Sequence, residues 1–134
     1  MSRELVTTPD GGSIALDWTR TLPKSDVPSH TLVVLHGLAG GSHETYVRHL
    51  LYTLLFDPIF RSNHSLPENL QAVVVNFRGC AETPVTSTQL YCGAWTDDLR
   101  QAIGVIKERV GEKGILAAIG FSLGANILVK VLRH

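Results

Sequence analysis

The chain has 134 residues, and its 12 Lys and Arg balance its 12 Asp and Glu, so the formal net charge is zero. That balance argues against a nucleic-acid-binding protein and against a polybasic membrane-surface protein, because both carry an excess of positive charge. Hydrophobic residues make up 44% of the chain and charged residues only 18%. This composition and length predict one packed domain over residues 1–134 rather than a disordered chain.

Neither a transmembrane helix nor a secretory signal is visible in the sequence. The longest uncharged stretch, residues 114–129, is shorter than the ~20 apolar residues that span a bilayer, and the N-terminus has no apolar run followed by a small-residue cleavage site. Cys80 and Cys92 lack the spacing of a zinc site or a disulfide framework. We therefore expect a cytoplasmic protein with two free thiols, no metal and no cofactor.

The predicted elements begin with a β-hairpin. Residues 4–8 and 13–19 are strand-like and flank Asp10-Gly11-Gly12, where glycine permits the positive φ of a tight turn. A linker-like segment containing Pro23 and Pro28 follows the hairpin.

Beyond this segment, apolar runs that predict strands alternate with apolar stripes that predict helices. The predicted strands cover residues 31–35, 72–75 and 115–119, and the predicted helices cover residues 46–55, 99–110 and 127–132. Continuous apolar runs are typical of strands that are covered on both faces. The order of the elements therefore predicts an α/β fold, with a mostly parallel sheet flanked by helices.

The pair Asp97-Asp98 has two possible interpretations, a helix start or an acidic site. Thr96 can cap the second predicted helix, the helix dipole favours negative charge in its first turn, and Gly111 can end the helix at positive φ. We therefore interpret the pair as a helix start rather than as a metal or acid/base pair.

The strongest chemical motif is Gly120-Phe121-Ser122-Leu123-Gly124, which fits G-x-S-x-G between a predicted strand and a predicted helix. A serine on such a sharp turn needs neighbours without bulk, which Gly120 and Gly124 supply. The turn would lift the Ser122 hydroxyl above the sheet, and the helix N-terminus offers unpaired N–H groups to a developing oxyanion. Ser122 is therefore the candidate nucleophile, although two glycines can flank a serine for packing alone.

A second motif, His36-Gly37, opens a glycine-rich loop directly after the first predicted parallel strand. In hydrolases of this architecture, a loop at this place contributes the second oxyanion N–H, for which Leu38 is the natural donor. The loop lacks the Gly-Lys-Ser/Thr sequence of a P-loop, and it also lacks the G-x-G-x-x-G dinucleotide pattern.

Taken in order, the motifs identify a family. They are His36-Gly37-Leu38, Gly40-Gly41-Ser42, Asn76-Phe77-Arg78-Gly79-Cys80, Leu90-Tyr91-Cys92-Gly93-Ala94-Trp95-Thr96-Asp97-Asp98 and residues 119–128. With them the chain resembles the N-terminal part of the α/β-hydrolase branch that holds fungal medium-chain fatty acid ethyl ester synthase/esterases and related mammalian and bacterial esterases. The resemblance implies a sheet with strands in the order 1-2-4-3-5-6-7-8, of which we count five here.

The resemblance also implies an activity. Ser122 would be the nucleophile, and the backbone N–H groups of Leu38 and Leu123 would form the oxyanion hole. The substrates would be short- and medium-chain acyl esters, with water or an alcohol as the acceptor. Arg78, at the end of a predicted strand, could line the pocket mouth or hold a loop, and we favour the structural role.

The catalytic base is the main departure from the family, in which the acid and the histidine follow the nucleophile. The one histidine that follows Ser122 in this sequence is His134. A helical rise of 1.5 Å per residue places it ~18 Å from Ser122. His36 and His43 remain as substitute bases. We expect the chain to be an incomplete hydrolase domain without its later strands, and to be inactive alone.

The alternative is a non-catalytic module that pairs an open sheet edge with another chain. Association with a lipid surface stays open under either interpretation.

Overall fold

Five strands form one sheet in the computed structural model, which describes residues 1–20 and 29–133. The strands are β1 (Ser2–Thr7), β2 (Ser13–Trp18), β3 (His30–Leu35), β4 (Leu70–Asn76) and β5 (Ile115–Gly120). The helices are α1 (Thr45–Leu55), α2 (Pro58–Asn63), α3 (Asp97–Val110) and α4 (Leu123–Leu132). The predicted linker around Pro23 and Pro28 lies outside the described residues, as does His134.

The strand order is β1-β2-β4-β3-β5. β3 pairs in parallel with β4 and β5, whereas β1 pairs antiparallel with β2, and β2 pairs antiparallel with β4. This is the order that the family resemblance implied for the first five strands. The N-terminal hairpin is confirmed as well, and Gly11 in its turn has a φ of 81°.

Helices cover both faces of the sheet, which explains why each central strand contains a continuous apolar run. On one face, alternate residues of β3 and β4 pack in one cluster with α3 and α4; these strand residues are Val33, Leu35, Val73 and Val75. On the other face, the residues between them pack against α1; they are Val34, Ala72 and Val74. Because side chains alternate along a strand, two apolar faces require a continuous apolar run.

The helices begin and end largely as predicted. Asp97 and Asp98 lie in the first turn of α3, and Gly111 follows the last turn with a φ of 82°. Thr96 occupies the capping position, but its side chain makes no cap hydrogen bond. Its φ of −101° and ψ of −12° differ from the extended backbone of a capping residue, so the prediction of a side-chain cap at Thr96 is wrong.

α2 is a short helix that the apolar pattern did not predict. The Asp57 carboxylate accepts hydrogen bonds from the N–H groups of Ile59 and Phe60, and Pro58 occupies the first turn. Both features favour a helix start. The six residues of α2 include no buried side chain, so no apolar stripe marks them.

β5 lies at one edge of the sheet. Within the described residues it pairs with β3 alone, and Ile115 is 52% exposed. The non-catalytic alternative depends on this edge and stays a prediction.

Arg78 joins three segments beyond the strand ends. Its guanidinium donates to both oxygens of Asp98, each at 2.6 Å, and to both oxygens of Asp10, at 2.6 and 2.9 Å. It also donates to the Ser87 hydroxyl and the Gln89 carbonyl. Hydrogen bonds to the two carboxylates raise the pKa of Arg78, and Arg78 lowers the pKa of Asp10. These contacts confirm the structural role expected for Arg78.

We predict that Arg78→Ala lowers the free energy of unfolding by about 3–5 kcal/mol, because it leaves the buried Asp98 carboxylate without its cation. Urea denaturation measures this loss. Arg100→Ala is the matched control, since Arg100 lies exposed on α3, and we expect a change within about 0.5 kcal/mol. A loss below about 1 kcal/mol in Arg78→Ala, as for an exposed ion pair, would contradict the role of Arg78.

Candidate active site

Ser122 lies on a tight turn between β5 and α4, with a φ of 50° and a ψ of −112°. A non-glycine residue at positive φ carries backbone strain, which persists only where the surroundings impose it. The neighbouring glycines show what imposes it. A Cβ on Gly120 would lie 2.5 Å from the nitrogen of Ala125, and a Cβ on Gly124 would lie 2.5 Å from the carbonyl oxygen of His36. The turn therefore forms only without side chains at both positions.

The Ser122 side chain is exposed at the start of α4. Serine at a helix start commonly caps the first N–H groups, but the Ser122 side chain makes no cap hydrogen bond. In the chain as described, its hydroxyl has no hydrogen-bond partner. Leu123, the first residue of α4, has an N–H without an intrahelical acceptor. An exposed, unpaired hydroxyl thus lies beside the positive end of a helix.

The glycine-rich loop contacts this turn. A Cβ on Gly37 would lie 3.6 Å from the Phe121 carbonyl oxygen and 3.7 Å from the Ser122 Cβ. Loop and turn enclose an open cavity of about 410 Å³. Its lining consists of Gly37, Leu38, Gly40, Glu44, Tyr46, Phe121 and Ser122. The structure therefore brings together Ser122 and the loop that sequence analysis singled out.

A buried polar network anchors the far end of the loop. The Ser42 N–H donates to the Asn76 side-chain oxygen at 2.9 Å, and the Ser42 hydroxyl donates to Asp17 at 2.5 Å. Asn76 donates to the same Asp17 oxygen at 2.9 Å, and Arg3 donates to both oxygens of Asp17. Burial alone would raise the pKa of Asp17, but these hydrogen bonds outweigh it and the pKa is lowered. The loop is thereby tied to β2 and β4.

Two tyrosines to which sequence analysis assigned no role in the site also bind the loop. The Gly37 N–H donates to the Tyr46 hydroxyl at 2.9 Å, and the Ala39 N–H donates to the Tyr91 hydroxyl at 2.6 Å. Tyr46 had been assigned to the apolar stripe of α1, but it is 38% exposed. Its place in the helical pattern gave no signal of a bond to a loop nine residues earlier.

His36 is fully buried, and both of its ring nitrogens are occupied. Nε2 accepts from the Phe77 N–H at 3.2 Å, so Nδ1 carries the proton and donates to the Gly37 carbonyl at 2.6 Å. Burial lowers the pKa of His36, because it disfavours the charged imidazolium. His36 therefore supports the loop and has no nitrogen free for a serine hydroxyl.

His43 is the other histidine that was considered as a base. Its side chain is 62% exposed, and Nε2 lies 3.4 Å from a Glu44 carboxylate oxygen. Among the described residues that line the cavity next to Ser122, His43 is absent. The structure thus does not bring His43 into the cavity with the serine.

The described residues include side chains of the types that bind metal ions. Over residues 1–20 and 29–133, no three His, Cys, Asp or Glu side chains form a group that could hold a metal ion. Cys80 is buried and Cys92 is exposed, and both are free thiols.

Comparison with known proteins assigns the family. Residues 30–133 match the family model of the alpha/beta hydrolase fold. The chain belongs to the alpha/beta hydrolases. It is 38% identical to embryogenesis-associated protein EMB8 of Picea glauca, over 97% of this chain and 27% of that protein. It is 37% identical to medium-chain fatty acid ethyl ester synthase/esterase 2 of Saccharomyces cerevisiae, over 83% of this chain and 22% of that protein.

The match to the yeast synthase/esterase confirms the family resemblance stated from the motifs. The chain spans about a quarter of the length of these two relatives. A solved α/β serine hydrolase without a lid, from Xanthomonas campestris, matches 98% of this chain and 55% of its own, with a TM-score of 0.66 and 22% identity. At that identity the likeness shows the fold alone. None of the described helices is long and apolar enough to cross a membrane.

The state of His36 predicts a pH dependence of stability. Because the pKa of His36 is lower in the folded chain than in the unfolded chain, the unfolded state takes up the proton first as pH falls. We expect stability to decrease as pH falls below about 6.5, the ordinary histidine value, and this contribution to level off below the lowered pKa.

Urea unfolding at a series of pH values tests this expectation, with His36→Gln as the variant that cannot titrate. Its slope in this window should be shallower than that of the wild type by up to about 1.4 kcal/mol per pH unit. His49→Gln, at an exposed histidine of α1, is the control for replacing a histidine by Gln. Equal slopes in wild type and His36→Gln would contradict the assignment.

Proposed function

We propose that this hydrolase chain carries the nucleophile of a serine carboxylic ester hydrolase, and that Ser122 is that nucleophile. The observation that carries the proposal is the Ser122 turn, because it holds an unpaired hydroxyl at positive φ above the end of a parallel strand. The strain, the two flanking glycines and the adjacent helix start are the features that acyl transfer by serine requires. A serine that served only to start the helix would be expected to cap α4 with its side chain. Ser122 makes no such hydrogen bond.

The oxyanion hole in this proposal consists of the backbone N–H groups of Leu38 and Leu123. Leu123 begins α4, and Leu38 lines the same cavity as Ser122. Among the described residues, no acceptor binds the N–H of Leu38. Two unpaired N–H groups close to one hydroxyl are the arrangement that stabilises a tetrahedral intermediate.

The reaction runs in two steps. The Ser122 oxygen attacks the ester carbonyl and loses its proton to a base, and the carbonyl oxygen becomes the oxyanion. The carbon–oxygen bond to the alcohol then breaks, and the alcohol leaves with that proton, so an acyl-serine remains. Water or a second alcohol attacks the acyl-serine in the same way. Water gives the acid, and an alcohol gives a new ester.

The general base in the proposal is a histidine outside these 134 residues, oriented by an acid that is also outside them. His36 has no free ring nitrogen, and His43 does not line the cavity. The curated relatives are about four times as long as the aligned part of this chain, which leaves room for both groups.

Acyl esters of short and medium chains are the proposed substrates. Leu38, Tyr46 and Phe121 give the cavity a mostly apolar lining, and Glu44 is the one charged residue among the described residues that line it. Such a lining suits an acyl chain better than an anionic group. The name of the yeast relative, a medium-chain fatty acid ethyl ester synthase/esterase, supports the same substrate class and an alcohol acceptor.

We place the reaction in the cytoplasm, which the two free thiols support. In this proposal no cofactor or nucleic acid takes part. Because the substrate is apolar, the proposal includes contact between the protein and a lipid surface.

We predict that a fluorophosphonate probe labels the chain slowly at Ser122 and that Ser122→Ala abolishes the labelling, because an oxyanion hole keeps part of its rate effect when the catalytic base is missing. In-gel fluorescence measures the label. Ser62→Ala, at an exposed serine of α2, should label like the wild type. Undiminished labelling of Ser122→Ala would contradict the assignment.

Turnover is a separate prediction. We expect the 134 residues alone to hydrolyse a medium-chain nitrophenyl ester no faster than Ser122→Ala does, because the base is outside them. The release of nitrophenol over a pH series measures the rate. A wild-type rate well above that of Ser122→Ala would place the base within the chain, and His43→Gln would then be the next variant to test.

A further inference from the structure

Tyr46 connects the two halves of the candidate site. Its hydroxyl accepts the Gly37 N–H at 2.9 Å, and its ring packs against Phe121 with centroids 4.8 Å apart. Phe121 directly precedes Ser122 in the turn. The same hydroxyl would lie 3.2 Å from a Cβ on Gly40. One side chain on α1 thus touches both the loop and the segment that carries the serine.

Tyr91 holds the other side of the same loop. Its hydroxyl accepts the Ala39 N–H at 2.6 Å, and its ring stacks on Phe77 with centroids 5.3 Å apart and planes 12° apart. Ala39 has a φ of 53°, a strained conformation for a residue with a side chain. The bond to Tyr91 therefore supports the loop at a residue with a strained backbone.

Leu38 lies between these two bonds. The N–H before it and the N–H after it each bind a tyrosine hydroxyl, whereas its own N–H has no acceptor in the part of the chain that the structure describes. The Leu38 side chain is 75% exposed, so packing of that side chain does little to hold the residue in place. The hydroxyls of Tyr46 and Tyr91 restrain the backbone on each side of it.

We propose that Tyr46 and Tyr91 are positioning residues for the oxyanion hole, acting through the two peptide N–H groups that flank Leu38. The inference rests on the proposed function of Ser122 and deepens it. An oxyanion hole works because its donors are in place before charge develops, so that no reorganisation accompanies the reaction. Two phenol acceptors engage the neighbouring donors and leave one N–H free for the substrate.

The protonation state of Tyr91 fits this role. Burial raises its pKa. A neutral phenol has a lone pair for the Ala39 N–H. Tyr91 thus remains a neutral acceptor throughout the ordinary pH range, and it acts on the loop rather than on the substrate.

Tyr46→Phe and Tyr91→Phe test the proposal, because each removes one oxygen and keeps the ring. Tyr52→Phe is the matched control, since Tyr52 lies on α1 with 58% exposure and its hydroxyl has no partner in the described structure. Two readouts are needed for each variant. Amide hydrogen exchange of Gly37 and Ala39 reports the loop, and the rate of fluorophosphonate labelling at Ser122 reports the oxyanion hole.

We expect Tyr46→Phe to speed exchange at Gly37, and Tyr91→Phe to speed exchange at Ala39, each by about 5-fold, which corresponds to one net hydrogen bond. Labelling should slow by about 10-fold in each variant, which is less than the roughly 100- to 1,000-fold effect of losing a donor outright. Urea unfolding should show that both variants stay folded. Tyr52→Phe should match the wild type in all three measurements.

Two failures are distinguishable. If the wild type is not labelled at Ser122, the proposed function is overturned, and the inference falls with it. If the wild type is labelled while Tyr46→Phe and Tyr91→Phe label at the wild-type rate, the positioning role alone is overturned. Faster amide exchange without slower labelling would assign the two tyrosines to loop stability only, and this result would also overturn the positioning role.

Discussion

The candidate site depends on one close approach between the first turn of α4 and the end of β3. A Cβ on Gly124 would lie 2.5 Å from the His36 carbonyl oxygen and 2.7 Å from the Leu35 carbonyl oxygen, so this contact is open only to glycine. The Phe121 N–H donates to the same Leu35 carbonyl at 3.0 Å. Because the start of α4 lies directly against the end of β3, Ser122 and the loop that begins at His36 lie together at the carboxyl ends of the parallel strands.

Polar networks hold the other segments at that edge, where open α/β sheets place their sites. Arg78 joins the hairpin turn to the start of α3, and Asp17 joins the glycine-rich loop to two strands. Tyr46 and Tyr91 act within the loop itself. Residues at positive φ, such as Ala39 and Ser122, carry a cost of about 1–3 kcal/mol each. The packing and the hydrogen bonds around them offset that cost.

Sequence patterns predicted the parts of the molecule that local or periodic rules govern. The apolar runs located the central strands, and the glycines of G-x-S-x-G located the turn, because a two-sided sheet and a close backbone approach each restrict residue type. α2 was not predicted, since it buries no side chain. Thr96 occupies the predicted cap position of α3, but its side chain makes no cap hydrogen bond. Tyr91 was not predicted because its acceptor role joins residues 52 positions apart, which no local pattern records.

The central claim is that the N–H groups of Leu38 and Leu123 and the hydroxyl of Ser122 form one site. The most direct test is the amide spectrum of the protein, measured by nuclear magnetic resonance before and after a phosphonate is attached to Ser122. Hydrogen bonds to a charged phosphoryl oxygen are short and strong, so the amide protons of Leu38 and Leu123 should both move downfield, while those of Gly37 and Ala39 stay in place. An adduct on Ser122 that leaves either the Leu38 or the Leu123 amide unchanged would contradict the claim.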